Sequence, residues 1–186
     1  VYADVTTIDF ARRAAAVGVD GLALVCCGAG GHTGLLSPFA FVDEVRQFFD
    51  GEIILSGAIS NGRAIRAAEV LGADYVYMGT RFIPTQESLA QDEYKEMVVE
   101  ASGADIVTSD SITGVKANWL KGSLEKVGFD VDNMPPPGAI NFLEAASDAK
   151  RWRDIWAAGQ GVGSIDRQQS VAEVVEQLTD EYRSCL

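Results

Sequence analysis

Histidine occurs once in this chain, at position 32, so any chemistry that needs an imidazole has a single address. Cysteine is nearly as scarce. Cys26 and Cys27 are neighbours and Cys185 lies near the other end, which makes neither a disulfide framework nor the spacing of a metal site. Basic residues are few: 15 stand against 27 acidic ones, for a formal net charge of -12, and no run of lysine and arginine is interleaved with aromatics. That balance argues against nucleic acid as a partner. Apolar runs are short, broken by charge or glycine well before the roughly 20 residues needed to span a bilayer. No basic, apolar leader ending in small residues is visible. The expectation is a protein of the reducing cytoplasm, with no membrane partner.

What is present is the material of a globular core. Of the 186 residues, 47% are hydrophobic and 23% charged, and no break in composition divides the chain, so residues 1–186 read as a single domain. Short apolar strands alternate with amphipathic helices, the pattern of a parallel sheet wrapped by helices. Val1–Val5 leads to a helix with Phe10, Ala14 and Val17 on one face, capped by Thr6 with Asp9, and ended by Gly18. Gly21–Val25 leads through a glycine-rich loop to Ser37-Pro38, the start of a helix presenting Phe41, Val45, Phe48 and Phe49. Glu52–Leu55 precedes a helix with Ile65, Ala68 and Leu71 buried and Gly72 at its end. Tyr75–Met78 is the fourth strand.

Beyond Pro84 the periodicity turns helical, with Tyr94, Met97, Val98 and Ala101 on one face, and Asp105–Thr108 has the composition of a short strand. Residues 116–137 are less regular, and Pro135-Pro136-Pro137-Gly138 must be a loop. A last helix opens at Ser170 with Glu173 as its capping partner and directs Val171, Val174, Val175 and Leu178 inward.

In such a fold the loops leaving the carboxyl ends of the strands share one rim, where ligands bind. Three features fall there. His32 lies in Cys27-Gly28-Ala29-Gly30-Gly31-His32-Thr33-Gly34, off any helix face, and is either a solvent-facing loop residue or a base able to take a proton from carbon. Ser56-Gly57-Ala58 and Gly79-Thr80 end adjacent strands at the start of helical segments. Turns of this kind expose unpaired N–H groups to an anion, although either alone also suits a plain tight turn.

Ala29-Gly30-Gly31-His32-Thr33-Gly34, the run Leu55-Ser56-Gly57-Ala58-Ile59-Ser60-Asn61-Gly62-Arg63 and Met78-Gly79-Thr80-Arg81-Phe82 together resemble the nitronate monooxygenase family. Trp156-Ala157-Ala158-Gly159-Gln160-Gly161-Val162-Gly163 is similar to that family's carboxyl-terminal motif. The resemblance implies an α/β fold, the FMN-dependent (β/α)8 TIM barrel, here as about its last four strand-helix units plus C-terminal helices, with the N-terminal half absent. It implies His32 as catalytic base, Gly30 as a backbone contact to flavin, and Gly57, Ala58, Gly79 and Thr80 as the turns that hold the FMN phosphate. It places Gln160 near the rim.

The implied reaction oxidises alkyl nitronates with O2 to a carbonyl compound and nitrite. Flavin-dependent NAD(P)H:quinone and enoyl reductases resemble the same motifs, and a flavin-free barrel binding a phosphorylated metabolite, or a remnant without catalysis, also fits the turns. Many family members carry glycine where Ala58 stands, so the expectation is that Ala58 avoids positive φ. A half-barrel exposes sheet edges and apolar interior, hence the further expectation that the chain pairs with a copy of itself or aggregates.

Overall fold

The computed structural model describes residues 1–138 and 153–186. In chain order the strands are β1 (Tyr2–Val5), β2 (Gly21–Val25), β3 (Gly31–His32), β4 (Glu52–Ser56), β5 (Tyr75–Tyr77), β6 (Ile106–Ser109) and β7 (Ala117–Leu120). The α-helices are α1 (Ile8–Ala16), α2 (Pro38–Arg46), α3 (Gly62–Leu71), α4 (Asp92–Glu100), α5 (Lys121–Lys126) and α6 (Val171–Arg183).

The four strands read from the first part of the sequence form one parallel sheet in the order β1-β2-β4-β5. Register runs straight across it: Val5 pairs with Leu24, Leu24 with Leu55 and Leu55 with Val76. One residue on, Val25, Ser56 and Tyr77 align, so the carboxyl ends of β2, β4 and β5 form a common edge. Leu22, Leu24, Ile53 and Leu55 face the helices, where they meet Ala11, Phe41, Val42, Val45 and Ala68 in one core. Each such fully buried aliphatic side chain contributes roughly 1.5–3 kcal/mol. The architecture is a segment of a (β/α)8 barrel, with helices on one side of the sheet.

Local signals shift in phase at several points. The first helix is capped by Thr7, whose side chain accepts from the Phe10 N–H, not by Thr6. Its buried residue is Ala11, while Phe10 and Val17 are exposed. On α6, Ser170 and Glu173 form the expected capping box, but only Val174 and Leu178 are buried; Val171 and Val175 look outward. Packing against one neighbour needs a narrow stripe, and valine's apolar character on the flanks does not widen it.

The larger difference lies past β5. The stretch 116–137 is ordered structure: β7 and α5 belong to it, and β7 is buried along its whole length. Alternation on a short strand buried on both faces leaves no period-2 contrast, which is why the sequence reads as irregular there. Ala117 and Trp119 join one core and Leu120 another. β3, β7 and β6 make a separate antiparallel sheet in that order, so the strand expected near 105–108 exists but serves a second layer.

The last helix returns to the barrel segment and packs on α3. A Cβ on Gly62 would lie 2.3 Å from the Tyr182 nitrogen and 2.4 Å from the Leu178 oxygen, so the backbones approach to a distance only glycine allows. The Gly62 N–H donates to the Glu181 carboxylate at 2.7 Å, and Asn61 accepts from the Ala64 N–H, so the start of α3 is capped from within the chain.

Among the described residues β1 and β5 have no second neighbour in the sheet. Tyr2, Tyr75 and Tyr77, on the face away from the helices, are 48%, 54% and 59% exposed. Unpaired parallel edges beside exposed aromatics favour association. Sedimentation of the 186-residue chain alone is therefore expected to give dimers or larger species; a monodisperse monomer at micromolar concentration contradicts this.

Candidate functional site

His32 is held on a strand. β3 pairs antiparallel with β7, His32 opposite Ala117 and Gly31 opposite Asn118. The loop before it is tied down at each end: the Thr33 hydroxyl donates to the Cys26 carbonyl at 3.0 Å, the Thr33 N–H to the Lys116 carbonyl at 3.0 Å, and the Cys27 N–H to the Leu36 carbonyl at 2.9 Å. Asn118, 1% exposed, donates from its side-chain amide to the Ala29 carbonyl at 2.7 Å and accepts from the Thr108 hydroxyl. A buried amide satisfied at both ends is a rigid strut, since leaving either group unpaired costs about 1–3 kcal/mol.

The rim itself is a junction of four backbone segments. The Gly28 carbonyl accepts from the Ala58 N–H at 3.2 Å and from the Gln160 N–H at 2.9 Å. The Thr80 hydroxyl accepts from the Gly159 N–H at 2.9 Å. A Cβ on Gly159 would stand 2.5 Å from the Gly28 oxygen, and one on Gly30 would stand 2.8 Å from the Gly159 nitrogen. Gly30 and Gly159 thus press directly on each other's backbone, and Gln160, placed near the rim by its motif, is wired into it through its main chain.

Ala58 corrects the sequence reading. Its φ is +56°, and Gly57 before it has φ +130°, so two successive residues take up left-handed backbone. Alanine pays a steric cost of about 1–2 kcal/mol in that region. The hydrogen bond from Ala58 to Gly28 holds it there. That bond also commits the Ala58 N–H, so Ala58 shapes the bend instead of offering its amide to a ligand.

Two connected cavities open at this junction. The larger, about 460 Å³, is walled by His32, Asp4, Val25, Gly30, Tyr77 and Tyr94, among others. The smaller, about 30 Å³, is a slot lined by Gly28, Gly57, Ala58, Ser60, Gly159 and Gly161 with further small residues. Gly30, Ser56, Tyr77, Gly79 and Thr80 belong to both. His32, an exposed residue, lines the larger cavity, Gly57 and Ala58 line the slot, and Gly30, Gly79 and Thr80 form the wall that the two share. At Gly79 an added Cβ would meet no atom within 4 Å, so a side chain there would project into open space.

The surroundings are apolar at one end and charged at the other. Tyr94 stacks on Trp156 with ring centroids 5.1 Å apart and donates its hydroxyl to the Ala157 carbonyl. Burial pushes the Tyr94 phenol up to about 12. Burial likewise pushes the Cys26 thiol up to about 12, which leaves it inert as a nucleophile at neutral pH. Directly after Thr80, the buried Arg81 guanidinium donates to the Gln169 and Gln177 side-chain oxygens at 2.8 and 3.1 Å. Burial lowers its pKa, while Glu181 and Asp166 act in the opposite sense. Its hydrogen-bond partners are neutral amides, and the Glu181 and Asp166 carboxylates balance part of its charge.

Asp4, Tyr77, Tyr94, Ser60 and Asn118 line or brace the site but are not among the site residues that the sequence reading singles out. For Asp4 and Tyr77 the signal was parity: both sit on the strand face away from the helix-facing residues. Among the described residues no group of three or more histidine, cysteine or carboxylate side chains is placed to hold a metal.

The carboxyl-end rim of a parallel α/β barrel, with a chamber of small-molecule size narrowing to a backbone-lined slot, defines a ligand-binding barrel segment. The sequence model of the nitronate monooxygenase family matches residues 1–181, and the chain belongs to that family. A protein of Mycobacterium tuberculosis named as a monooxygenase is 32% identical over 95% of the chain and 51% of its own length. Among solved structures, FabK from Thermotoga maritima superposes with a TM-score of 0.78 at 26% identity, over 100% of this chain and 61% of that one. Nitroalkane oxidase from Streptomyces ansochromogenes gives a TM-score of 0.78 at 25% identity, over 98% and 57%. The chain spans about half the length of the curated relatives it matches.

Two outcomes follow from the geometry. Ala58→Gly removes the steric cost of φ +56° and is expected to stabilise by about 1 kcal/mol, read as a melting point about 2–4 °C higher; an unchanged or lower value contradicts the strain. The Tyr94 phenol is raised on folding, so its stabilising contribution is complete below the unfolded value near 10 and is lost as pH rises through about 12. Denaturant titrations across that window are expected to show stability falling in the native chain and falling less in Tyr94→Phe.

Proposed function

We propose that this chain supplies the phosphate end of a flavin site and the base of an oxidoreductase that converts alkyl nitronates, with O2, to a carbonyl compound and nitrite. The observation that carries the proposal is the convergence of His32 with the Gly57-Ala58 and Gly79-Thr80 bends on one chamber and its slot. FMN is the cofactor in this reading, and the protein acts in the cytoplasm on small molecules.

The residues fit such a group. The slot is narrow and lined largely by glycine and other small residues, and the Gly79-Thr80 turn opens a short 3-10 segment, Thr80–Phe82, whose leading N–H groups lack helical partners. Thr80 keeps its hydroxyl proton to donate, because its oxygen accepts from Gly159. Gly30 lets backbone approach the ring system, and Tyr77 and Ile83 give the chamber apolar walls.

Bound flavin supplies the electron acceptor, which O2 reoxidises. The chain's own residues orient the substrate and take its proton. His32 is among the residues lining the chamber, where its imidazole would take the proton from the carbon beside the nitro group of a neutral nitroalkane, leaving the nitronate, whose charge is shared between that carbon and the nitro group, as the species to be oxidised. β7 and Asn118 fix the position of His32, and Tyr94, stacked on Trp156, lines the chamber.

In the protein at its natural length, His32→Asn is expected to lower turnover of a neutral nitroalkane under air by about a hundredfold or more, with FMN affinity within twofold of the parent. Equal turnover removes His32 from the reaction. Anaerobic mixing with NAD(P)H separates this reading from a reductase on the same scaffold: rapid bleaching of the flavin favours the reductase.

A further inference from the structure

Ser60 is only 3% exposed, and its hydroxyl makes no hydrogen bond among the described residues. A buried hydroxyl without a partner is unfavourable, and structures rarely tolerate one. No fully enclosed side-chain oxygen or nitrogen lacks a partner among the described residues. The Ser60 oxygen therefore reaches open space, and the space it lines is the narrow slot.

Its surroundings are arranged to leave it there. A Cβ on Gly161 would lie 2.1 Å from the Ser60 oxygen and 3.1 Å from the Ala58 carbonyl, so only glycine at 161 leaves the hydroxyl its position. Ser60 sits between the Gly57-Ala58 bend and Asn61, the residue that caps α3. The first N–H of α3 is already taken by Glu181, and the Ala58 N–H by Gly28. Two donors that such a bend and helix start would normally offer an anion are thus spent internally, while the Ser60 hydroxyl at the same place is unspent.

We infer that Ser60 is a phosphate ligand of the slot, its Oγ–H donating to a terminal phosphate oxygen of the bound flavin mononucleotide. The inference rests on the proposed function for what the slot holds, and adds which side chain grips it. A hydroxyl donating to a phosphate oxygen is a charge-assisted bond that supplies the donor the spent amides do not.

The test compares FMN with riboflavin, which lacks the phosphate, in the protein at its natural length. Dissociation constants come from quenching of flavin fluorescence, and melting curves of the apoprotein report folding. The parent is expected to prefer FMN. Ser60→Ala is expected to cut that preference about tenfold through weaker FMN binding, with riboflavin binding and the apoprotein melting point unchanged. A preference retained within twofold overturns the role of Ser60 and leaves the flavin reading intact. Equal loss of both ligands, or a lowered melting point with both weakened, makes Ser60 structural and also overturns it. A parent that binds riboflavin as tightly as FMN overturns the slot as a phosphate site, and this inference with it.

Discussion

One carbonyl organises the rim. The Gly28 oxygen takes N–H groups from Ala58 and Gln160, residues that lie 30 and 132 positions further along the chain. Both bonds are needed to bring the glycine loop, the second bend and the carboxyl-terminal motif within backbone contact. The close approaches of Gly30, Gly159 and Gly161 follow from that single convergence, because segments meeting so tightly have no room for Cβ atoms. The left-handed conformation of Ala58 follows too: its N–H must turn toward Gly28, and the local strain is offset by the bond. The slot is the residual space between these segments.

The second constraint is the small antiparallel sheet. Without β7 the glycine loop would be tethered only at its ends, and His32 would sample the solvent like any loop residue. Pairing with Ala117 and the Asn118 bond to Ala29 turn the loop into a fixed wall. The added layer brings its own cores, built on Trp119, Leu120 and Trp156, so the wall is supported from behind, and Tyr94 lines the chamber. The barrel segment supplies the floor, and the extra layer holds the strand that carries His32.

Much of this was legible in the residues and some was not. The four parallel strands and their helices declared themselves because short apolar runs alternate with helical periodicity, and glycine or proline marks the ends. The rim positions of His32, Gly57 and Gly79 followed from topology alone. β7 escaped notice because burial on both faces erases alternation. Asn118 and Ser60 carry no local signal, since their importance comes from partners 89 residues away in one case and about a hundred in the other. The sign of φ at Ala58 was misjudged for the same reason. Steric preference is local, but the bond that overrides it reaches across the fold.

The grip of α6 on α3 through Gly62 ties the rim to the far side of the fold. Glu181 and Tyr182 on α6 close contacts with residues 62 and 69. Gly62 opens the helix that follows the Gly57-Ala58 bend, and a side chain there would collide with the α6 backbone. A substitution at 62, outside the walls of both the chamber and the slot, would therefore disturb the bend through the helix that carries it.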